Sequence, residues 1–245
     1  MHGFIAVYLR EMRILKYRLG RQLAGMTVTP LLYLLTFGCA MGGLIRLEDG
    51  SSYLHFLVPG LVAMSSMTQA FAIAQDINVA RFYWNIFEEF QAAPISNLAY
   101  VAGETLAGVT RALIGIAVIL TLAALFGVRL QYSLAFWLAA LLNATLFASL
   151  AVALAMLVKS HADQALLTNF IITPMAFLGG TFFPLDQLPA WVRTMLQLLP
   201  LSHASNAIRC AALGRPGQVF DFALLAVLAL GCFFLALRSV NQARD

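Results

Sequence analysis

Apolar residues occur along this chain in long blocks, not in the short alternating pattern of a soluble fold. Four runs of 22 to 29 residues contain no Asp, Glu, Lys or Arg, and a membrane-spanning helix needs about 20 apolar residues. Two shorter uncharged runs, 112–128 and 222–237, reach that length if their helices begin earlier in the chain. The pattern predicts an all-α integral membrane protein with six transmembrane helices, at residues 22–45, 53–75, 98–127, 132–158, 164–183 and 217–238.

Composition agrees with this interpretation. The 245 residues are 61% hydrophobic and 11% charged, with a mean hydropathy of +0.84, whereas a soluble domain of this size needs a charged surface. The spans leave little chain for a soluble domain, so residues 1–245 are expected to form one membrane domain. A cleavable signal peptide is not expected, because the first apolar run exceeds the 7–15 residues typical of one.

The N-terminal segment, residues 1–21, is basic and amphipathic. At 100° per residue, one face is apolar and Arg10, Arg13 and Arg21 lie opposite. This predicts an interfacial helix on the inner membrane surface, with both chain termini in the cytoplasm because Lys and Arg collect on that side. The segment is either a topology signal only or a brace that also touches a cytoplasmic partner. The apolar face comprises Ile5, Tyr8, Leu9, Met12, Leu15 and Leu19.

Residues 79–93, between spans 2 and 3, form a second predicted surface helix. Arg81, Asn85, Glu88 and Glu89 share one face, and Pro94 ends the helix because its ring cannot continue one. Anionic lipid repels acidic groups, so a basic groove on a cytoplasmic protein is their natural complement. The alternative is a solvated face of a connecting helix.

Span 3 contains the charged residues Glu104 and Arg111, two turns apart on one helical face. Each costs about 2.5–3.5 kcal/mol at the bilayer centre, and their separation of about 10 Å is too long for a direct pair. Each is therefore expected to find its partner on a neighbouring helix or subunit. The small residues Gly103, Ala107 and Gly108 predict close helix approach there.

The segment FLGGTFFPLDQLPAWVRTMLQLLP, residues 177–200, is apolar but broken by glycine and proline. Residues 188–199 have one apolar helical face, yet at about 18 Å they are too short to span. The pattern predicts a re-entrant external helical hairpin at 184–200, between spans 5 and 6, that covers the exit. The alternative is an inert interfacial anchor. The residues assigned to this external gate are Gly179, Gly180, Phe182, Phe183, Pro184 and Trp191.

The glycine pair of this gate is predicted to be a flexible break. Valine at both Gly179 and Gly180 is then expected to block transport without disturbing assembly.

Several chemical signatures are missing. Lys16 and Lys159 are the only lysines and neither follows a glycine, so there is no Walker A phosphate loop. No HExxH or GxSxG motif occurs, the histidines have no ligand spacing, and the three cysteines form no CxxC pair. We therefore assign no catalytic, cofactor or metal site. A Cys39–Cys210 disulfide stays possible.

Two alternatives to a transporter remain open. One is an intramembrane enzyme that uses the charged residues of span 3, or Ser65 or Ser66 with His203. The other is a non-transporting channel or scaffold.

Four stretches together carry a family resemblance: YLLTFGCAMGGLI, SYLHFLVPGLVAMSSM, VAGETLAGVTRALIG and GGTFFPLDQLPAWVRTMLQLLPLSHASNAIR. They resemble the permease subunit of type-2 ATP-binding cassette (ABC) exporters, above all the branch that exports nodulation lipo-oligosaccharides and related drug-resistance permeases. The last stretch is similar to the family's FFP…LP…PL…R signature. The stretch FEEFQAAPIS, which includes the end of the second predicted surface helix, departs from the pattern of many relatives. Those relatives have aliphatic residues between the acidic residue and the proline.

The resemblance implies a bacterial inner-membrane exporter subunit. It implies a homodimer with two separate ATPase subunits that bind ATP and Mg, and no nucleic acid partner. Residues 81–92 would be the coupling helix seated in the ATPase, and spans 1, 2 and 5 would line the export path. The cargo would be an amphipathic or lipid-linked substrate such as a glycolipid, polysaccharide or drug.

Overall fold

A computed structural model describes residues 2–41, 52–84, 86 and 95–243. The regular structure of these ranges is helical, as the sequence predicts. A π-helical turn, Thr168–Ile172, and a 3-10 turn, Leu185–Gln187, interrupt the later part of the chain. The helices are α1 His2–Met41, α2 Tyr53–Phe71, α3 Ile73–Phe82, α4 Asn97–Leu125, α5 Leu134–Leu157, α6 His161–Leu167, α7 Thr173–Leu178, α8 Ala190–Gln197, α9 Pro200–Ala212 and α10 Val219–Gln242.

Serine residues begin several of these helices. The hydroxyls of Ser96, Ser133 and Ser160 accept hydrogen bonds from backbone N–H groups in the first turns of α4, α5 and α6, at 3.2, 3.3 and 3.2 Å. Serine is favoured at this position because its side chain satisfies an N–H that has no partner inside the helix. Proline at the first position of α9 is suited to its place because its missing N–H would be unpaired there anyway.

Within the described residues, four helical stretches are long and apolar enough to cross a membrane. They are Tyr53–Phe82, which combines α2 and α3, then Asn97–Leu125, Leu134–Leu157 and Val219–Gln242. They coincide with predicted spans 2, 3, 4 and 6. The chain therefore has the helices of a membrane protein, while the count of six spans stays a prediction.

The two remaining predicted spans look different in the structure. The predicted interfacial helix and span 1 form one helix of 40 residues, α1, with no break at residue 21. Arg21 and Gln22 are good helix formers, so nothing local ends the helix there. The predicted fifth span, 164–183, is divided by the π-helical turn, and its last helix ends at Leu178.

Small residues of α4 let its neighbours approach closely, which confirms the prediction made from their spacing. A Cβ on Gly103 would lie 2.8 Å from the side chain of Val7 on α1, and one on Gly108 would lie 2.8 Å from Ala148 on α5. Gly103 and Gly108 thus permit contacts that a larger residue would prevent. The core of the bundle is α2, which packs against α4, α5 and α9.

The bundle has two ends with different chemistry. At the end of the bundle where α1 begins, which we call the N-terminal end, the start of α4 lies beside the end of α10. There Asn97 donates a hydrogen bond of 2.5 Å to Asn241. At the opposite end, α2 begins beside α9 and the loop that follows α7, where the hydroxyl of Tyr53 reaches the carbonyl of Phe182. Each end holds a cluster of polar side chains.

Candidate functional site

Six charged residues form a charge cluster at the N-terminal end of the bundle. Arg111 donates to the carboxylate of Asp76, which also lies 3.8 Å from Arg18. Arg10 lies 2.8 Å from Glu11 and 3.9 Å from Glu104. The charge cluster therefore joins α1, α3 and α4, and its three arginines balance its three carboxylates. Its members are Arg10, Glu11, Arg18, Asp76, Glu104 and Arg111.

Both intramembrane residues singled out in the sequence belong to this cluster. Arg111 is 8% exposed and its partner Asp76 is on a neighbouring helix, as the spacing predicts. Glu104 is 1% exposed and faces Arg10 of α1. Neither carboxylate oxygen of Glu104 has a hydrogen-bond partner among the described residues. The structure thus buries both side chains inside the bundle and places side chains of opposite charge from other helices near them.

A small cavity lies inside the charge cluster. Its volume of about 10 Å³ is lined by Glu11, Gln22, Asp76 and Arg111, together with apolar side chains, and has room for about one water molecule. Burial raises the pKa of Glu11, opposed chiefly by the nearby charge of Arg10. The cavity inside the charge cluster is therefore polar and too small for a ligand larger than about one water molecule.

The predicted coupling segment is described only at its beginning. Arg81 donates a hydrogen bond to the carbonyl of Ala155, near the end of α5, and its guanidinium lies 5.1 Å from the ring of Phe82. Asn78 of the same helix donates to Gln164 of α6 at 3.1 Å. Arg81 therefore binds its own chain. The other predicted coupling residues, Asn85, Glu88 and Glu89, lie outside the described residues.

The opposite end of the bundle holds what we call the outer junction, where residues 179–184 lie against α2 and α9. Gly180 has a φ of 74°, a backbone conformation that glycine adopts without cost. Its carbonyl accepts a hydrogen bond of 2.7 Å from Arg209, which also donates to the carbonyl of Phe56 at 3.3 Å. The hydroxyl of Tyr53 donates to the carbonyl of Phe182 at 2.5 Å.

Arg209 is the central residue of the outer junction. Its guanidinium carbon lies 3.8 Å from the ring centroid of Phe56, a cation–π arrangement. Burial lowers the pKa of Arg209 to about 10, a shift that nearby Cys210 and Tyr53 oppose. This arginine of α9 therefore binds two other parts of the chain: the carbonyl and ring of Phe56, and the carbonyl of Gly180.

An aromatic cluster surrounds Phe182 at the same end. The ring centroid of Phe182 lies 4.9 Å from Tyr33, 5.4 Å from Phe37 and 5.4 Å from Phe177. Tyr53 continues the cluster, 6.1 Å from Phe37. These rings come from α1, α2 and α7, which lie in the three predicted path-lining spans. The outer junction therefore closes where those helices converge.

Packing at the outer junction is tight at two glycines. A Cβ on Gly60 of α2 would lie 2.6 Å from the carbonyl oxygen of Thr181, and one on Gly179 would lie 2.7 Å from the side chain of Leu201. The glycine pair forms a turn in which Gly179 is tightly packed and Gly180 has a positive φ, while its predicted flexibility stays a prediction. Valine at Gly179 and Gly180 is therefore expected to disturb assembly as well as transport.

The other predicted gate residues occupy less critical places. Phe183 and Pro184 are half-buried and lead into the 3-10 turn. Trp191 is 69% exposed on α8, on the face opposite the buried Leu196. The structure thus brings Gly179, Gly180 and Phe182 together at the outer junction and leaves Trp191 at the surface.

His203 takes part in a third polar group that ties α9 to α10. Its Nδ1 lies 2.7 Å from the carboxylate of Asp221, and its Nε2 lies 2.8 Å from the carbonyl of Gln197. Asn206 donates to the other carboxylate oxygen of Asp221 at 2.7 Å. The hydroxyl of Ser66 donates to the carbonyl of Ala140. The structure therefore does not pair Ser66 with His203 as a hydrolase would require.

Comparison with known proteins places these features in a family. The family model described as ABC-2 type transporter matches residues 3–213, a range that includes the charge cluster and the outer junction. The inner membrane transport permease YadH of Escherichia coli (strain K12) is 32% identical over 222 residues, which cover 89% of this chain and 86% of YadH. Nodulation protein J of Rhizobium meliloti (strain 1021) is 32% identical over 219 residues, which cover 87% of this chain and 82% of that protein.

Proposed function

Because the chain belongs to the ABC-2 type transporter family, whose members are membrane components of transporters that work with an ABC ATPase, we propose a specific role for it. It is the membrane-spanning subunit of an ATP-driven exporter and forms the translocation path as a homodimer with two ATPase subunits. The ATPase subunits bind ATP and Mg. The match of the family model to residues 3–213, across both ends of the bundle, is the observation that carries the proposal.

The cargo in this proposal is amphipathic or lipid-linked, such as a glycolipid, polysaccharide or drug. The sequence's resemblance to the branch that exports nodulation lipo-oligosaccharides supports that class. The aromatic rings at the outer junction also suit it, because aromatic side chains present large apolar surfaces with polar edges. The charge cluster lies at the cytoplasmic end and the outer junction at the external end, so the segment 184–200 covers the exit.

In this arrangement Arg81 positions the coupling segment, and Asn85, Glu88 and Glu89 contact the ATPase. The bond from Arg81 to the end of α5 supports this division of roles, since it ties the start of the segment to the bundle. Movement of the ATPase is then transmitted to α3 and α4, where Asp76 and Arg111 pair.

The proposal is tested by expressing the chain together with a Walker-motif ATPase and purifying through a tag on the chain. An ATPase that co-purifies, with ATP-dependent movement of a fluorescent lipid-linked sugar in proteoliposomes, is the expected result. A chain that purifies alone, and a complex that moves no lipid-linked cargo with ATP, would count against it.

Reversing the two acidic charges of the coupling segment is expected to uncouple the complex. In the variant carrying Glu88→Lys and Glu89→Lys, we expect ATP-driven export to fall at least about tenfold while membrane insertion stays normal, because losing a buried charge pair costs about 2–5 kcal/mol. Asp245→Lys, a reversal at the end of the chain, serves as the control. Normal export by the double variant would show that the acidic face is only solvated.

The orientation is tested with single cysteines in a background that lacks Cys39, Cys210 and Cys232. An impermeant thiol reagent added outside is expected to label Tyr132→Cys, in the loop between α4 and α5, and to spare Glu88→Cys. Labelling of Glu88→Cys from outside would reverse the proposed topology.

A further inference from the structure

The family signature in this chain ends in an arginine, Arg209, whose role the proposed function leaves unexplained. Arg209 lies 29 residues after Gly180, yet its Nη2 binds the Gly180 carbonyl at 2.7 Å. The loop at 180–184 therefore contacts a helix much later in the chain. What this contact does depends on the other bonds that hold the loop.

Among the described residues, two side chains from outside the loop donate hydrogen bonds to its backbone. Arg209 of α9 donates to Gly180, and Tyr53 of α2 donates to Phe182. In both bonds the acceptor is a backbone carbonyl. The two donors come from different helices, so these bonds tie the loop to both α9 and α2, in addition to the packing of Phe182.

The closed arrangement also has an unfavourable feature. The hydroxyl of Thr181, between the two bonded carbonyls, is fully buried and has no hydrogen-bond partner among the described residues. A buried hydroxyl without a partner is destabilising, and water would satisfy it if the loop moved away. Closure is thus favoured by two hydrogen bonds and opposed by one unsatisfied group, so the closed arrangement is less stable than the two bonds alone would make it.

We propose that Arg209 and Tyr53 form a latch that holds the external loop, residues 180–184, closed against α2, and that the exit opens when these two bonds are exchanged for water. This inference rests on the proposed role of the segment as the cover of the exit. Arg209 and Tyr53 are positioning residues here, because they act through the loop and not on the cargo.

The latch is tested by the reactivity of one buried thiol. Thr181→Cys is introduced into the chain without its native cysteines, and the protein in nanodiscs is treated with an impermeant thiol reagent without ATP. Because a neutral hydrogen bond is lost in Tyr53→Phe, we expect labelling to accelerate roughly 5-fold; for Arg209→Met, which also loses a charge, we expect at least about 10-fold. Arg209→Lys, which keeps the charge, is expected to be intermediate.

Matched controls separate a latch from a general loss of stability. Tyr132→Phe and Arg129→Met remove the same groups from exposed positions at the same end and are expected to leave labelling unchanged. A second reporter, Ser149→Cys, lies fully buried in α5, and its labelling is expected to stay slow in Tyr53→Phe. Faster labelling at both reporters would mean general unfolding and would overturn the latch.

The outcome is independent of the exporter proposal because no ATPase, ATP or cargo is present. Unchanged labelling of Thr181→Cys in Tyr53→Phe would overturn the latch even if the complex exports normally. Selective acceleration with no ATP-driven transport would uphold the latch and count against the exporter. If Arg209→Met does not insert into the membrane, Tyr53→Phe alone decides, since it keeps the shape of the side chain.

Discussion

Replacing Arg111 by leucine is expected to lower the free energy of unfolding by up to about 3 kcal/mol, the lower end of the cost of breaking a buried ion pair, because the carboxylate of Asp76, 19% exposed, keeps a weakened set of partners. Among the described residues its remaining ion pair is with Arg18, which lies 3.8 Å away with 49% of its side chain exposed. The measurement is unfolding of the purified chain in mixed micelles, followed by tryptophan fluorescence.

Two further variants make this prediction specific. Arg129→Leu removes an exposed arginine between α4 and α5 and is expected to change the unfolding free energy by less than about 0.5 kcal/mol. Arg111→Leu combined with Asp76→Leu is expected to recover much of the loss, since no unpaired buried charge remains. Equal, small effects of Arg111→Leu and Arg129→Leu would show that the pair with Asp76 contributes nothing.

Gly60→Val is expected to have the second large effect, by pushing the loop at 180–184 away from α2. Even a Cβ at this position would lie 2.6 Å from the carbonyl oxygen of Thr181 and 3.1 Å from Nη2 of Arg209. Overpacking costs about 1–3 kcal/mol where side chains can adjust, and more where the obstacle is backbone. We expect the thermal midpoint of the chain to fall and the loop to become sensitive to protease.

Gly25→Val is the matched control for this substitution. Gly25 also lies inside a long helix, but a Cβ there would have no heavy atom within 4 Å. The same added volume is therefore expected to leave the midpoint and the protease pattern unchanged. A Gly60→Val protein that behaves like Gly25→Val would mean that the close approach of α2 and the loop is not required.

The helices of the bundle could be predicted from the sequence because each depends on local properties. Uncharged runs long enough to span, serine at helix starts, and small residues in span 3 all act within a few turns of one helix. The four membrane-length helices fall where these patterns predict them. The start of span 1 was harder to predict. The sequence predicts a break at residue 21, where the chain would pass from the membrane surface into the bilayer, but the backbone of α1 continues through this position as one helix.

The partners in the two end clusters could not be read from the sequence, because they come from residues far apart in the chain. Arg111 could be predicted to need a partner on another helix, but nothing local identifies Asp76, 35 residues earlier. Tyr53 and Arg209 likewise meet the loop only through the packing of α2 and α9. Some signals were available: Asp76 directly follows an uncharged run, and Arg209 ends the family signature.

The N-terminal part of α1 shows what periodicity can and cannot give. The predicted apolar face divides in the structure: Ile5 and Leu9 are 49% and 47% exposed, whereas Tyr8, Met12 and Leu15 pack inward. Val7 and Glu11 are buried beside them, although neither belongs to the predicted face. An acidic residue counts as polar in a hydrophobic pattern, so the pattern could not place Glu11 inside. The charge cluster supplies the reason that Glu11 points inward.

The length of α1 has a mechanical consequence. Arg10 of the charge cluster and Tyr33 of the aromatic cluster belong to one continuous helix, about 35 Å apart at 1.5 Å per residue. A tilt of about 5° around its middle would displace these two residues by roughly 1.5 Å in opposite directions. Pro30 lies between them and removes one backbone hydrogen bond, so α1 bends most easily near Pro30, close to Tyr33. A movement of α1 at the charge cluster can therefore reach the aromatic cluster through the backbone of one helix, without a chain of side-chain contacts.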